Sequence, residues 1–372
     1  MSFFEKIKLE NYRNFKDFTI TFNKKCNVII GPNGTGKTNL LESISLFEKG
    51  RGFRKDLFKN MISNKNKNNM FSINSSFNTL ENNLDLILSV ELNNDKLKKK
   101  LLINGSNSKE SLQHFEKLYS IIWFLPEMEK LFLSSPSLRR NFFDRLVYGT
   151  DKDYLKLLNN YKKKILERNN ILKQKNYDYN WIDQVENEIV DYGLKIYSKR
   201  NKHIRILNSE IKSLRGINKN VYNFELIIKD NFLIHQNNSE IVFKSNYLLN
   251  LKNSRIYDAI VGGCKIGPHK SDIYGLHLGN NLSLFLCSTG EQKAIILLII
   301  IAQSKYLINS LNRKPIILLD EICSHLDKYN REILLELINS LDVQTFVTGT
   351  DKNFFSFLST KASYYYINQD KI

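Results

Sequence analysis

The period of the apolar pattern changes several times along the chain, and each change marks an element. Residues 3–22 alternate, so Phe4 to Leu9 and Phe18 to Phe22 read as two strands around the turn Asn11-Tyr-Arg-Asn-Phe15. Asn27-Val-Ile-Ile30 is a short apolar strand, expected to lie in one sheet with the first two. Behind it, apolar residues at 40, 41, 44 and 47 recur at helical spacing. From Phe53 to Leu102 the alternation returns in three runs, 71–77, 84–90 and 99–103. With polar joins at 64–69 and 93–96, these predict an antiparallel meander. Ser120 to Leu125 is a strand ended by Pro126, and Pro136 stands where the first turn of a helix running to Val147 tolerates it.

Residues 151–215 hold no proline and predict two long helices, about 151–175 and about 180–215, folded as an antiparallel hairpin. Heptads persist too briefly for a long coiled-coil arm. Residues 221–246 read as strands and about 247–261 as a helix. Cys287-Ser-Thr-Gly-Glu-Gln-Lys293 opens a helix over about 289–310, with Ser288 at the N-cap and Glu291 at capping-box spacing. Its run Ala294 to Ala302 is too short to span a bilayer and predicts a buried helix. Pro315 to Leu319 is a buried strand; a helix from Lys328 to Leu341 and a strand from Val343 to Thr348 follow.

Charge adds a partner class. The 372 residues carry 55 Lys/Arg against 38 Asp/Glu, a formal charge of +17. Such an excess suits a polyanion, nucleic acid or an anionic membrane surface, and equally suits simple solubility. Within 136–215, 18 cations face 10 acids, with tyrosines interleaved at 154, 161, 177, 179, 192 and 197. Such a lobe can grip a phosphate backbone, and the same tyrosine pattern also serves core packing. Arg139, Arg140 and Asp144 fall near one helix face, with Arg140 and Asp144 at i, i+4 spacing. The four cysteines form no CxxC, which reads as reduced, small core residues of a cytosolic, cytoplasmic protein. The start, Met1-Ser-Phe-Phe-Glu-Lys6, does not read as a signal peptide.

Two stretches carry the chemistry. Gly31, Pro32, Asn33, Gly34, Thr35, Gly36, Lys37 and Thr38 spell the P-loop G-x-x-x-x-G-K-[ST] between a strand and a helix. Glycines there let backbone N–H groups point inward onto phosphates at a helix start. Lys37 would reach the β/γ oxygens of ATP, and Thr38 would offer its hydroxyl to Mg²⁺. Asp320 and Glu321 end the apolar strand at 315–319, where open α/β sheets place their ligands. Asp320 suits Mg²⁺ held through water, and Glu321 suits the base that orients the attacking water. Arg13 and Asn14, in the opening turn, fit either a nucleotide contact or an ordinary hairpin loop. His269, Lys270 and Asp272, after the turn Gly267-Pro268, are placed to face nucleotide or DNA.

P-loop, Ser288-Thr-Gly-Glu-Gln292, Asp320-Glu321 and Ser324-His-Leu-Asp327 in this order resemble the head of ABC-type ATPases. Phe124-Leu-Pro-Glu127 with Ser135 to Asp144, and Gly267-Pro-His-Lys-Ser-Asp272, are similar to the two RecF signatures. Asn11 to Phe15 and Gly34 to Glu42 match that family's opening turn and P-loop helix. The resemblance covers essentially the whole chain. It implies an α/β fold: an ABC-type head, lobe I with a β-subdomain (1–130 and 251–372), carrying an inserted helical lobe II (131–250). It also implies ATP and Mg²⁺ as cofactors, slow hydrolysis and an ATP-dependent head-to-head homodimer. In that dimer Ser288 and Gly290 of one subunit contact the γ-phosphate held by Lys37 of the other. It further implies binding of single-stranded, gapped or junction DNA, and work with RecR and RecO to load RecA in the SOS response. The sequence departs from transporter heads, which are a competing reading along with SMC-class heads. Thr348 stands where a switch histidine would be, Pro126-Glu127 where a Q-loop glutamine would be, and the signature reads Ser-Thr-Gly-Glu. A basic helical insert and no long heptad arm favour the RecF resemblance over both, and no membrane partner is expected.

Overall fold

The computed structural model describes residues 2–63, 70–79, 81–93, 96–174, 176–230, 240–358 and 362–368. The expected join at 64–69 and the middle two residues of the one at 93–96 lie outside them. The chain forms two compact units, 1–129 with 289–372, and 130–288. The insertion therefore returns at 288/289 rather than at the expected 250/251. Residues 251–288 stay with the helical unit because Asp272–His277 pairs within it as a strand.

In the first unit, β1 (Phe3–Tyr12) and β2 (Phe15–Thr21) form a hairpin and β3 (Cys26–Ile30) leads to α1 (Lys37–Ser45). β4 (Phe71–Asn78), β5 (Asn83–Asn93) and β6 (Lys96–Ile103) make the meander, followed by α2 (Lys109–Leu118) and β7 (Ile121–Phe124). The first hairpin does not share a sheet with the P-loop strand, contrary to expectation. β1 pairs β4, giving an antiparallel sheet ordered β2-β1-β4-β5-β6. Alternation suits that one-sided sheet, with β4 buried at every second residue, whereas β3 is buried at all five positions.

In the second unit, α3 (Pro136–Thr150) has its proline in the first turn, and α4 (Tyr154–Leu172) and α5 (Tyr179–Ile217) pack as the expected pair. After β8 (Phe224–Lys229) come α6 (Glu240–Asn253) and α7 (Arg255–Val261). Residues 240–246 are thus helical, not strand: Phe243, Tyr247 and Leu251 recur at i, i+4 and bury one helix stripe. β9 (Asp272–His277) pairs with β8 and with β10 (Leu282–Ser283). Tyr154, Tyr161 and Tyr197 are buried, so these tyrosines pack the lobe; Tyr179 is exposed.

Back in the first unit, α8 (Thr289–Leu311), β11 (Ile316–Leu319), α9 (Lys328–Ser340), β12 (Thr345–Gly349) and β13 (Ala362–Tyr366) complete a parallel sheet ordered β13-β3-β12-β11-β7. α8 is 23 residues, long and apolar enough to cross a membrane by length and composition, and 67% of its apolar window is buried. Its run Ala294–Ala302 is buried throughout. The buried Gln344 ties the two sheets: its amide accepts from Phe4 N at 2.8 Å and donates to Phe4 O at 2.8 Å.

Candidate functional site

The P-loop is shaped by positions that exclude a side chain. Gly34 and Gly36 sit at φ 83° and 89°, left-handed backbone that glycine adopts without strain. A Cβ on Gly31 would stand 2.3 Å from the Ile367 carbonyl oxygen. Thr35 closes the loop, its hydroxyl donating to Pro32 O at 2.9 Å; Pro32, Asn33 and Gly34 are exposed. Lys37 is buried, and its ammonium donates to Gly31 O at 2.7 Å and Pro32 O at 2.8 Å. Burial lowers its pKa, against the opposing pull of the Glu321 and Asp320 carboxylates.

Three hydrogen bonds lock the two motifs together. The Thr38 hydroxyl donates to Asp320 Oδ2 at 2.8 Å. The buried Thr348 hydroxyl donates to Asp320 Oδ1 at 2.7 Å and accepts from the Glu321 N–H at 2.8 Å. The P-loop helix, β11 and β12 thus converge on one carboxylate. Adjacent strand ends supply this arrangement because β12 lies between β3 and β11. The donor set fits Mg²⁺, which prefers hard oxygens: one hydroxyl and one carboxylate meet at the start of α1.

Glu321 leaves the strand in left-handed backbone, φ 48°. Its carbonyl accepts from the Ser324 hydroxyl at 2.9 Å and from Lys293 Nζ at 3.1 Å. The Lys293 side chain is fully buried and also donates to Ser324 O at 2.7 Å and Glu129 Oε1 at 2.6 Å. The other Glu129 oxygen meets His325 Nδ1 at 3.0 Å. Gly290 lies under this loop, where a Cβ would stand 2.8 Å from His325 O. Sequence reasoning missed Glu129 and Lys293 as site residues. The available signal was a lone cation one residue before the most apolar run of the chain, which only a buried partner can satisfy.

The structure separates the other candidates. Asn14 lies against Gly36, whose Cβ would come 2.5 Å from Asn14 Nδ2; that buried nitrogen has no hydrogen-bond partner among the described residues. Arg13 is instead held by Glu42 through bonds of 2.8 and 2.9 Å and by Asp56 at 2.9 Å. Burial works to lower its pKa, but these carboxylates raise it overall. Ser288, immediately before α8, is exposed.

In the helical unit the two RecF-like signatures meet each other. Arg139 pairs with Asp272 at 2.7 and 2.8 Å, and Arg140 donates to Ser271 O. Asp144 takes Arg200 at 2.8 Å rather than Arg140, because Arg200 is buried and needs a counter-charge. His269 Nε2 donates to Cys264 O at 2.9 Å, leaving Nδ1 to accept from the Tyr161 hydroxyl at 2.7 Å. Burial pushes the His269 pKa down to about 4. Both His269 and Asp272 are thus occupied within the lobe, and Lys270 is exposed.

The RecF/RecN/SMC N terminal domain model matches residues 3–372. The chain is 33% identical over 351 residues to the DNA replication and repair protein RecF of Rickettsia bellii, covering 94% of each. It is 32% identical over 361 residues to that of Rickettsia conorii, covering 97% of this chain and 98% of the relative. The solved structure of the recombination mediator protein RecF-ATP in the RecFOR pathway superposes with a TM-score of 0.82 at 24% identity, over 100% of this chain and 96% of that one. An Smc head bound to the C-winged helix domain of ScpA superposes less well, with a TM-score of 0.57 at 16% identity, over 95% and 91%. The fold is therefore the RecF/SMC-like ATPase head.

Proposed function

This chain belongs to the RecF family of DNA replication and repair proteins, and we propose that it is an ATP-gated DNA-binding mediator whose output is switching rather than fast turnover. The observation that carries this reading is the hydrogen-bonded chain Thr38–Asp320–Thr348–Glu321, which fixes the P-loop and both strand-end acids in one frame. Lys37 and the N–H groups of the loop bind the phosphates of ATP. Thr38 and Asp320 would hold Mg²⁺, which would neutralise phosphate charge there. Glu321 accepts the proton of the attacking water, its backbone held by Thr348 and Lys293. Asn14 is placed against the loop as a further donor; Arg13 buttresses the turn.

Ser288 and Gly290 complete the site of a second copy, so that ATP joins two heads and hydrolysis releases them. The proposed partner is DNA with a single-strand gap or junction, and RecR and RecO type mediators act with it, leading to RecA loading and the SOS response in the cytoplasm. Slow, DNA-dependent hydrolysis fits a histidine-free sensor position at Thr348. The test is titration of a fluorescent ATP analogue: Lys37→Ala is expected to abolish binding where the wild type saturates. Unchanged affinity would remove the nucleotide site from this loop.

A further inference from the structure

Helix α5 carries a ridge that the nucleotide site does not explain. Between Lys195 and Lys212 the exposed residues are Lys195, Ser198, Lys202, Arg205, Ser209 and Lys212. Their spacing of three and four residues keeps them in one stripe along the helix, about 25 Å long at about 1.5 Å per residue. The stripe holds four cations and two hydroxyls, with no carboxylate.

Several other cations of the same lobe are neutralised. Lys199 pairs with Asp151, Lys244 with Asp191 at 2.6 Å, Lys252 with Asp183 at 2.8 Å, and Lys164 with Glu167 and Glu188 at 3.1 and 3.2 Å. Asp191 and Glu188, the acids that continue the ridge toward the helix start, are taken by Lys244 and Lys164. Lys195, Lys202, Arg205 and Lys212 have no ion-pair partner among the described residues. A merely solvated helix face mixes both signs and forms i, i+4 pairs; this one keeps a single sign and spaces it regularly. It also offers no apolar residue to enter a bilayer, as a membrane-surface helix would.

We propose that this ridge is a phosphate-backbone contact for duplex DNA: the four cations each neutralise a phosphate, and Ser198 and Ser209 donate hydrogen bonds between them. The contact is indifferent to sequence, since it reaches no base edge. It rests on the DNA-binding reading above and assigns that reading a surface.

The test is fluorescence anisotropy of a labelled 30-base-pair duplex with the full chain and ATP, across sodium chloride concentrations. The ridge variant combines Lys195→Gln, Lys202→Gln, Arg205→Gln and Lys212→Gln. A control of equal charge change combines Lys16→Gln, Lys24→Gln, Lys109→Gln and Lys117→Gln, all exposed on the other unit. The ridge variant is expected to bind at least tenfold more weakly at moderate salt, with the slope of log affinity against log salt shallower by about 3 to 4. The control is expected within about twofold of wild type, and both variants keep the wild-type circular dichroism and DNA-free ATP turnover. Equal weakening of both variants, or none in the ridge variant, would overturn the assignment while leaving DNA binding intact. Wild type that binds gapped DNA of the same length but not the duplex would overturn the ridge as a duplex contact and leave the DNA-binding reading standing; failure to bind either would remove both. Ridge-dependent binding to phosphatidylserine vesicles without ridge-dependent DNA binding would replace this partner with a membrane.

Discussion

Replacing Lys293 by methionine removes one ammonium from the most densely bonded point of the ATPase unit. The Glu129 carboxylate, 7% exposed, then keeps, among the described residues, His325 Nδ1 at 3.0 Å and the Ser324 hydroxyl at 3.5 Å. Ser324 O loses its 2.7 Å donor, and Glu321 O retains the Ser324 hydroxyl at 2.9 Å and the Ser324 N–H at 3.4 Å. Breaking a buried pair by deleting one partner typically costs about 3–5 kcal/mol, because the remaining charge stays desolvated. For a unit of this size that is roughly 6–20 °C in melting temperature. Methionine fills similar volume, so a cavity adds little. Thermal unfolding followed by circular dichroism measures the loss. Adding Glu129→Gln removes the orphaned charge and is expected to restore at least half of it. Turnover is expected to separate from stability: the double variant still lacks the donor that steadies Glu321, so kcat stays low while ATP affinity holds. A Lys293→Met protein less than about 1 kcal/mol destabilised, with normal turnover, would refute the buried network.

Thr348→Val keeps shape and deletes the hydroxyl that bridges Asp320 and the Glu321 N–H; about 1–3 kcal/mol of stability and a large part of kcat are expected to go, read by denaturant titration and steady-state ATPase assay. His269 is neutral when folded, with a pKa held down to about 4 by burial, against about 6.5 when unfolded. The unfolded chain therefore binds the extra proton, and this residue's contribution is intact above about pH 6.5 and lost progressively down to about pH 4. Its size is at most about 3 kcal/mol, so the stability difference between wild type and His269→Gln is expected to narrow by that order as pH falls from 7 to 4. A difference independent of pH would place the imidazole in solvent.

Local chemistry made the nucleotide loop readable: a strand, three glycines, Lys37 and a helical stripe each require the others. The acids at 320 and 321 were readable for the same reason, as polar residues ending an otherwise apolar strand. Sheet membership was not, because alternation in β1 says that one face is buried but not which strand lies beside it; β4 arrives 60 residues later. The end of the insertion was hidden likewise, since β9 takes its partner β8 across two helices. Residues 240–246 misled because Ile241, Val242 and Phe243 favour strand locally, while burial of Phe243, Tyr247 and Leu251 decides for helix. Arg13 shows the limit for side chains: a cation beside a phosphate loop suggests a ligand, yet Glu42 and Asp56 claim it through folding alone.

The most direct test of the ATP-gated account is sedimentation of Glu321→Gln, with ATP and with ADP, with and without gapped DNA. The account predicts a monomer in ADP and a dimer in ATP, tightened by DNA and abolished by Ser288→Arg. A monomer under every condition would contradict it.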